Sequence, residues 1–393
     1  MDQIRIKDLF TIDGRAVRKV NTQFKNRREK MSEKIFIENG SEYIQKLISD
    51  AVDNSVRSVT VTGNYIVDKA IRIPSDFTVI LKDCYLIQAE GCFDNVFVNE
   101  QNGTEKGKTL DGRDSNIKII GEGIAIIDGG VYNGLSEKTQ RTNGMPPVWK
   151  NNLILFSNVE GFEIRNISCH NQRWWAINLL YCSDGRISDI DFRASDIWID
   201  ENGEKHHGLD RSKYDPILVK NADGIDLRQG CHHITIENIT GFTEDDTIAL
   251  TALNGRLEGQ FKVEGACSDI CNISIKNVAS ASFCTNVRLL NQGDIKLHDI
   301  IIENITDTSE NSPYMDRGLY TVRVGDADRM YGTRFSTAEE TYNISIKNVY
   351  SRAVGAALHL AGDIGNLYFE NINCEEGTSM LQDYRTKKEY SDE

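Results

Sequence analysis

The chain has 393 residues, 39% hydrophobic and 26% charged, enough apolar material for one large domain or two ordinary ones. Its 59 acids against 45 bases leave a formal charge of -14, which excludes nucleic acid or anionic membrane as the main partner. No run of about 18 apolar residues could span a bilayer, and nine cysteines without a tight Cys-x-x-Cys pair or an apolar export signal read as reduced thiols in a cytoplasmic protein. Residues 1–39 carry no clean period and read as an N-terminal arm. From Glu42 to Val52, Ile44, Leu47, Ile48, Ala51 and Val52 fall on one helical face, the pattern of a helix that caps the open end of a solenoid. Val59 to Ile66, Ile71 to Ile80 and Asn116 to Ile127 then run apolar or alternating between Gly, Asn and Asp, as starting coils would.

Seven later segments share one pattern, apolar, x, apolar, x, Asn, apolar. They are FEIRNI (162–167), GRISDI (185–190), ITIENI (234–239), ISIKNV (273–278), IIIENI (300–305), ISIKNV (344–349) and LYFENI (367–372). The second departs from the pattern, with Gly185 opening it and Asp189 at the Asn place. Alternation in short β-branched runs marks strands with one buried face. The Asn positions step by 23, 49, 39, 27, 44 and 23 residues, one solenoid coil with or without an insertion. Leucine-rich repeats have similar periods but require Leu-dominated spacing, whereas the returns here are rich in Gly, Asn, Asp and Ser. The expected fold is therefore all-β, a single right-handed parallel β-helix over residues 40–380 with an N-terminal capping helix, followed by a polar, frayed tail at 381–393. About ten coils are expected, with Asn166, Asn238, Asn277, Asn304, Asn348 and Asn371 stacked along one turn, their amides satisfying turn backbone.

Chemistry concentrates between Lys220 and Leu253. Asp223 stands in N-A-D-G, and about one coil later comes the pair Asp245 and Asp246 in E-D-D-T. Residues one coil apart lie ~5 Å apart along the axis, so three carboxylates gather on one side. Like charges at that range raise one another's pKa. One protonated and others ionised is the arrangement that acid/base hydrolysis of a glycoside uses. The bland alternative is that Asp beside Gly only shapes turns.

The run resembles the polygalacturonase family, the family 28 glycoside hydrolases, whose signatures include Asn-Thr-Asp-Gly followed one coil later by Gln/Gly-Asp-Asp. Similarity extends over about residues 40–375, through GNYI (63–66), IKIIGEGIAIIDG (117–129) and WWAINLLYC (174–182). The resemblance implies an inverting hydrolase without a cofactor, in which Asp245 is the acid and Asp223 with Asp246 holds the water. Inversion requires roughly 6.5–9.5 Å between acid and base. Two family elements are missing. Gly-His-Gly falls on Phe283, Cys284 and Thr285, and Arg-Ile-Lys has Arg323 or Arg288 as its nearest match, with no lysine at either place. The sugar beside the cut therefore need not be galacturonate.

Other candidates for substrate contact are Trp175, a possible stacking face, His207 in the insertion Ala194 to Ile217, and Asp226, which alternates with Ile225 as a fourth acid. Each has a structural alternative in core packing or a solvated loop. His232 and His233, at a coil turn, read as structural, and no metal site is expected. The expected partner is an oligosaccharide, with short imported chains and exo-attack favoured by a cytoplasmic location; the oligomeric state is open. A β-helix polysaccharide lyase or epimerase using Arg288 as base, and a non-catalytic carbohydrate-binding solenoid, are the competing readings.

Overall fold

The computed structural model describes residues 7–12, 15–20, 34–130, 148–172, 174–194, 197–199, 205–207, 222–253, 258–292, 295–312, 317–326 and 334–385. They form a right-handed parallel β-helix. Ten long strands stack one per coil: Ser58–Val67, Phe77–Gln88, Asp114–Asp128, Ile154–His170, Trp175–Arg193, His232–Thr243, Ile270–Ser282, Leu297–Asp307, Thr341–Ser351 and Gly365–Cys374. A second ladder of shorter strands begins at Ile71–Ile73 and Phe97–Asn99 and runs through the first halves of Ile154–His170 and Trp175–Arg193. It continues through Asp223–Leu227, Ile248–Ala252, Thr285–Asn291, Tyr320–Val324, Ala356–Ala361 and Ser379–Tyr384.

Alternation decides what each ladder buries. Ile164, Ile187, Ile236, Ile275, Ile302 and Ile346 lie opposite one another in successive long strands, all fully buried. Ile225, Ile248, Val287, Val322 and Leu358 do the same in the short ladder. β-Branched side chains suit such columns because their restricted rotamers repeat at every step.

The corners explain the Asn pattern. Asp189, Asn238, Asn277, Asn304, Asn348 and Asn371 all have left-handed backbone, with φ between 54° and 60°, a conformation Asn and Asp tolerate far better than other non-glycine residues. Each Asn Nδ2 donates to the Oδ1 of the residue one coil below: Asn371 to Asn348, Asn348 to Asn304, Asn304 to Asn277, Asn277 to Asn238 and Asn238 to Asp189, at 2.8–3.2 Å. Asp189, the exception in the repeat, accepts from above and has no N–H to pass downward. Asn166 keeps the left-handed corner (φ 57°) below that break.

A second left-handed column lies five residues earlier in each coil, at Asp184, His233, Asn272, Asp299, Asn343 and Asn366. Its upper part is a shorter ladder, Asn366 to Asn343 and Asn343 to Asp299, both at 2.9 Å.

The ends differ in detail from the sequence reading. The capping helix spans Gly40–Asp53 and buries Ile44 and Ile48. A side chain at Gly40 would put its Cβ 2.6 Å from that of Tyr65, so only glycine lets the helix sit on the first coil. Within the arm, Lys7–Ile12, Arg15–Val20 and Lys34–Ile37 pair antiparallel, and Ile37 joins the coils opposite Tyr65. Ile71 to Ile80 is two strands, Ile71–Ile73 and one starting at Phe77, because Pro74 and left-handed Asp76 (φ 57°) turn the chain between them. Ser379–Tyr384 carries the short ladder past residue 380, with Leu381 opposite Leu358.

Asn277 gives one ladder bond and receives another in a left-handed corner. Asn277→Leu should cost about 2–4 kcal/mol in urea unfolding, from two lost hydrogen bonds plus left-handed strain. Asn277→Gly should cost less, because glycine keeps the corner. Equal losses for the two would show that backbone strain contributes nothing there.

Candidate active site

The outward positions of the short ladder form a single column: Asn178, Asp226, Ala249, Arg288, Arg323 and His359 lie opposite one another coil after coil. At the entrance of these strands, Gly224 N donates to Asp246 O at 3.0 Å and Ile225 pairs with Ile248. Asp223 and Asp246 thus occupy the same position one coil apart, as the 23-residue step in sequence implied.

The turn carrying Asp245 and Asp246 is pinned from below and above. Thr243 Oγ1 and Ser282 Oγ donate to the Asp245 carbonyl at 2.9 and 2.7 Å, and Thr247 N donates to Thr285 O at 2.8 Å. Small hydroxyl residues fit here because the turn backbone leaves carbonyls that no strand partner reaches.

Four aspartates meet in this region, and burial separates their roles. Asp223, Asp226 and Asp246 are 4%, 1% and 2% exposed, whereas Asp245 is half-buried and reaches the surface. Burial, then the charges of Asp226, Asp245 and Asp246, pushes the Asp223 carboxyl well above the usual carboxylate range, against the pull of Arg228. Burial raises Asp226 to about 7, opposed by Arg228 and reinforced by Asp246. Asp245 also rises to about 7, through burial and Asp246, with Arg288 opposing. Such a cluster shares protons near neutrality. Asp223 is the more strongly raised, but Asp245 is the one that a substrate oxygen can approach.

Arginines bind the cluster together. Arg228 Nη1 donates to Glu258 Oε1 at 2.7 Å and Nη2 to Asp226 Oδ1 at 3.3 Å. Arg288 Nη1 donates to Asp246 Oδ2 at 3.2 Å, and its Nη2 contacts both oxygens of Asp326 at 3.0 Å. Arg323, stacked directly on Arg288, pairs with the same Asp326. Two like charges one coil apart are tolerable because Asp326 lies between them. Asp226 Oδ2 and Asp246 Oδ1 have no hydrogen-bond partner among the described residues.

The remaining sequence candidates scatter. Trp175 is 3% exposed, with the Arg228 guanidinium 3.7 Å from its ring centroid and Trp149 5.3 Å away. It supports the arginine from behind, and that ring face is not open to a sugar. His207 ends the strand Lys205–His207, which pairs with Ile197–Ile199 in a separate two-stranded sheet; its side chain lies outside the described residues. His233 supplies a left-handed corner and meets His232 at 2.8 Å.

Arg228, Glu258, Asp326 and Cys284 were not singled out as site residues from sequence. Arg228 follows Asp226 by two in I-D-L-R, and that alternation places both on one face. Cys284 Sγ and one oxygen each of Asp245 and Asp246 lie within 4.8 Å of one another. Three such atoms could ligate a cation, but the Arg288 guanidinium already bonds Asp246 there.

A carboxyl whose folded-state pKa is raised binds more protons folded than unfolded. Its contribution to stability is fullest below its unfolded value, ~3.9, and is lost as pH rises through the folded value. With Asp226 and Asp245 raised to about 7, melting temperature should fall between pH 5 and pH 8. Asp245→Asn should stabilise by about 1–2 kcal/mol at pH 8, solvent screening included, and by nothing at pH 4. A calorimetric profile that rises from pH 5 to pH 8 would contradict the crowded-carboxylate picture.

No curated protein matches the sequence. Among solved structures, the chain is similar to a hyperthermoactive exopolygalacturonase from Thermotoga maritima, with TM-score 0.52 and 11% identity over 88% of this chain and 87% of that one. It is also similar to the tailspike protein of E. coli bacteriophage HK620, solved in complex with a hexasaccharide, with TM-score 0.55 and 13% identity over 87% of this chain and 59% of that one. These likenesses concern the fold. The model of glycosyl hydrolases family 28 matches residues 64–282, which hold Asp223, Asp245 and Asp246 and make up more than half of the chain. The chain is a glycoside hydrolase and belongs to glycosyl hydrolases family 28.

Proposed function

We propose that the protein hydrolyses a pectin-type or related oligosaccharide with inversion, using Asp245 as general acid and Asp223 with Asp246 to hold the attacking water. The observation that carries this reading is the gathering of three aspartates from consecutive coils, with only Asp245 open to the surface. A carboxyl raised to about 7 is protonated over the acid side of neutrality and can protonate a leaving oxygen. Asp246 accepts from Arg288 through Oδ2, and its Oδ1, without a hydrogen-bond partner among the described residues, offers an acceptor to water. As Asp223, one coil away, shares the cluster's protons, the water's proton has a place to go.

Asp245 and Asp246 approach more closely than the usual acid-to-base spacing of an inverting pair, ~6.5–9.5 Å. Room for water is therefore assigned to the Asp223 side, and product anomer is the deciding readout.

Arg288 and Arg323 form the cationic side of the site and are proposed to meet an anionic group of the substrate. Arg288 already donates to Asp246 and Asp326, an engagement that favours hydrolysis over a lyase reading with Arg288 as base. The setting proposed is cytoplasmic, on the spacing of the nine cysteines in the sequence. A cytoplasmic hydrolase meets short chains, so exo-attack on oligosaccharides is the proposed mode.

On pectic oligosaccharides, new reducing ends without an unsaturated product are expected, with inverted anomeric configuration by NMR. Retention, or an unsaturated product, overturns the mechanism. Asp223→Asn and Asp246→Asn should lower kcat at least ~10²-fold on oligosaccharides and nitrophenyl glycosides alike. Asp245→Asn should spare the nitrophenyl substrates, whose leaving group needs no proton. Near-normal turnover of the oligosaccharide by any of the three would rule out their acting as a unit.

Arg323→Met should raise KM for acidic oligosaccharides more than for neutral ones. An equal rise for both classes assigns Arg323 to packing with Asp326 and points to a neutral sugar.

A further inference from the structure

The reaction above leaves a thiol standing beside the general acid without a task. Cys284 is firmly placed: its N–H donates to Ser282 Oγ at 3.0 Å, and its carbonyl accepts from Leu319 N and Tyr320 N at 3.1 and 3.0 Å. Thr285 Oγ1 donates to Sγ at 3.8 Å. Ser282 also holds the Asp245 carbonyl, so a single hydroxyl ties the backbone of Cys284 to that of the acid. With the sulfur accepting from Thr285, its own S–H faces the carboxylates, one oxygen each of Asp245 and Asp246 lying within 4.8 Å of the sulfur.

The geometry points to Cys284 as a positioning residue for Asp245: its S–H hydrogen bond holds the carboxyl that Asp245 presents to the leaving oxygen. This rests on Asp245 being the acid. The thiol acts here as a donor rather than as a nucleophile or a cation ligand. Burial, followed by Asp246 and Asp245, pushes it well above its ordinary value, so it keeps its proton throughout the neutral range, and a thiol without thiolate character resists alkylation. A donor to a carboxylate favours the charged form. Cys284 therefore works against burial and Asp246, keeping Asp245 from being raised beyond the range in which it can release and recover a proton.

The test uses the full chain labelled with ¹³Cγ-aspartate, following carboxyl shifts from pH 3 to pH 10 in wild type, Asp245→Asn, Cys284→Ala and Cys284→Ser. The resonance absent from Asp245→Asn identifies the acid. Its midpoint should move up by ~0.5 pH unit in Cys284→Ala, the equivalent of one weak hydrogen bond. In Cys284→Ser, whose hydroxyl still donates, it should stay put or move down. Iodoacetamide on the native protein should label exposed Cys267 and spare Cys284, read by peptide mass. An unmoved midpoint in Cys284→Ala, an upward shift in Cys284→Ser, or alkylation of Cys284 as fast as Cys267 overturns the inference. If the Asp245 resonance titrates as an ordinary carboxyl, near 4, the acid assignment itself falls and takes the positioning role with it. Should Cys284→Ala not fold, the serine variant and the labelling still decide.

Discussion

Strand stacking at ~4.8 Å governs every other property of this molecule. Because each coil sits in register on the last, a residue meets its own counterpart above and below, and anything placed once in the repeat is placed beside its like. For isoleucine this makes a dry column. For left-handed asparagine it makes a hydrogen-bonded ladder, since an amide both gives and accepts. A carboxylate only accepts, and Asp223 below Asp246 is therefore a point of electrostatic tension within a fold that otherwise profits from repetition.

That tension is relieved unevenly. Arg288 joins Asp246 to Asp326, and Arg323 returns to Asp326, so the C-terminal side of the site is a chain of alternating charge. On the other side Arg228 serves Asp226 and Glu258 and rests on Trp175. Asp245 is the least buried of the four aspartates, placed where a proton can be exchanged with a substrate.

Much of this was legible in the chain. The Asn positions repeat because a left-handed corner accepts few residue types, so geometry writes itself as one letter. The corner five residues earlier imposes the same backbone but is filled by Asp184, His233, Asn272, Asp299, Asn343 and Asn366; three residue types conceal one conformation, and the period was missed. The aspartates could be read because two are adjacent and the third stands one coil away. Asp326 was not, since its value depends on two arginines that become neighbours only after the coils are stacked. Trp175 illustrates the opposite failure: alternation places it at the site, and only register reveals that Arg228, one coil on, lies across its face.

The amide ladder has a direction, and direction restricts how such a molecule can lengthen. Every link from Asn371 downward is donor above, acceptor below, and the series stops at Asp189. A duplicated coil with an asparagine corner could be spliced in anywhere between Asp189 and Asn371, taking the proton donor from its new upper neighbour and offering its own to the lower one. A coil with an aspartate corner in the same place would split the series into two shorter ones. Growth by duplication is thus open toward the C-terminal end and interrupted at Asp189, beyond which Asn166 and the earlier coils must hold their corners without that relay.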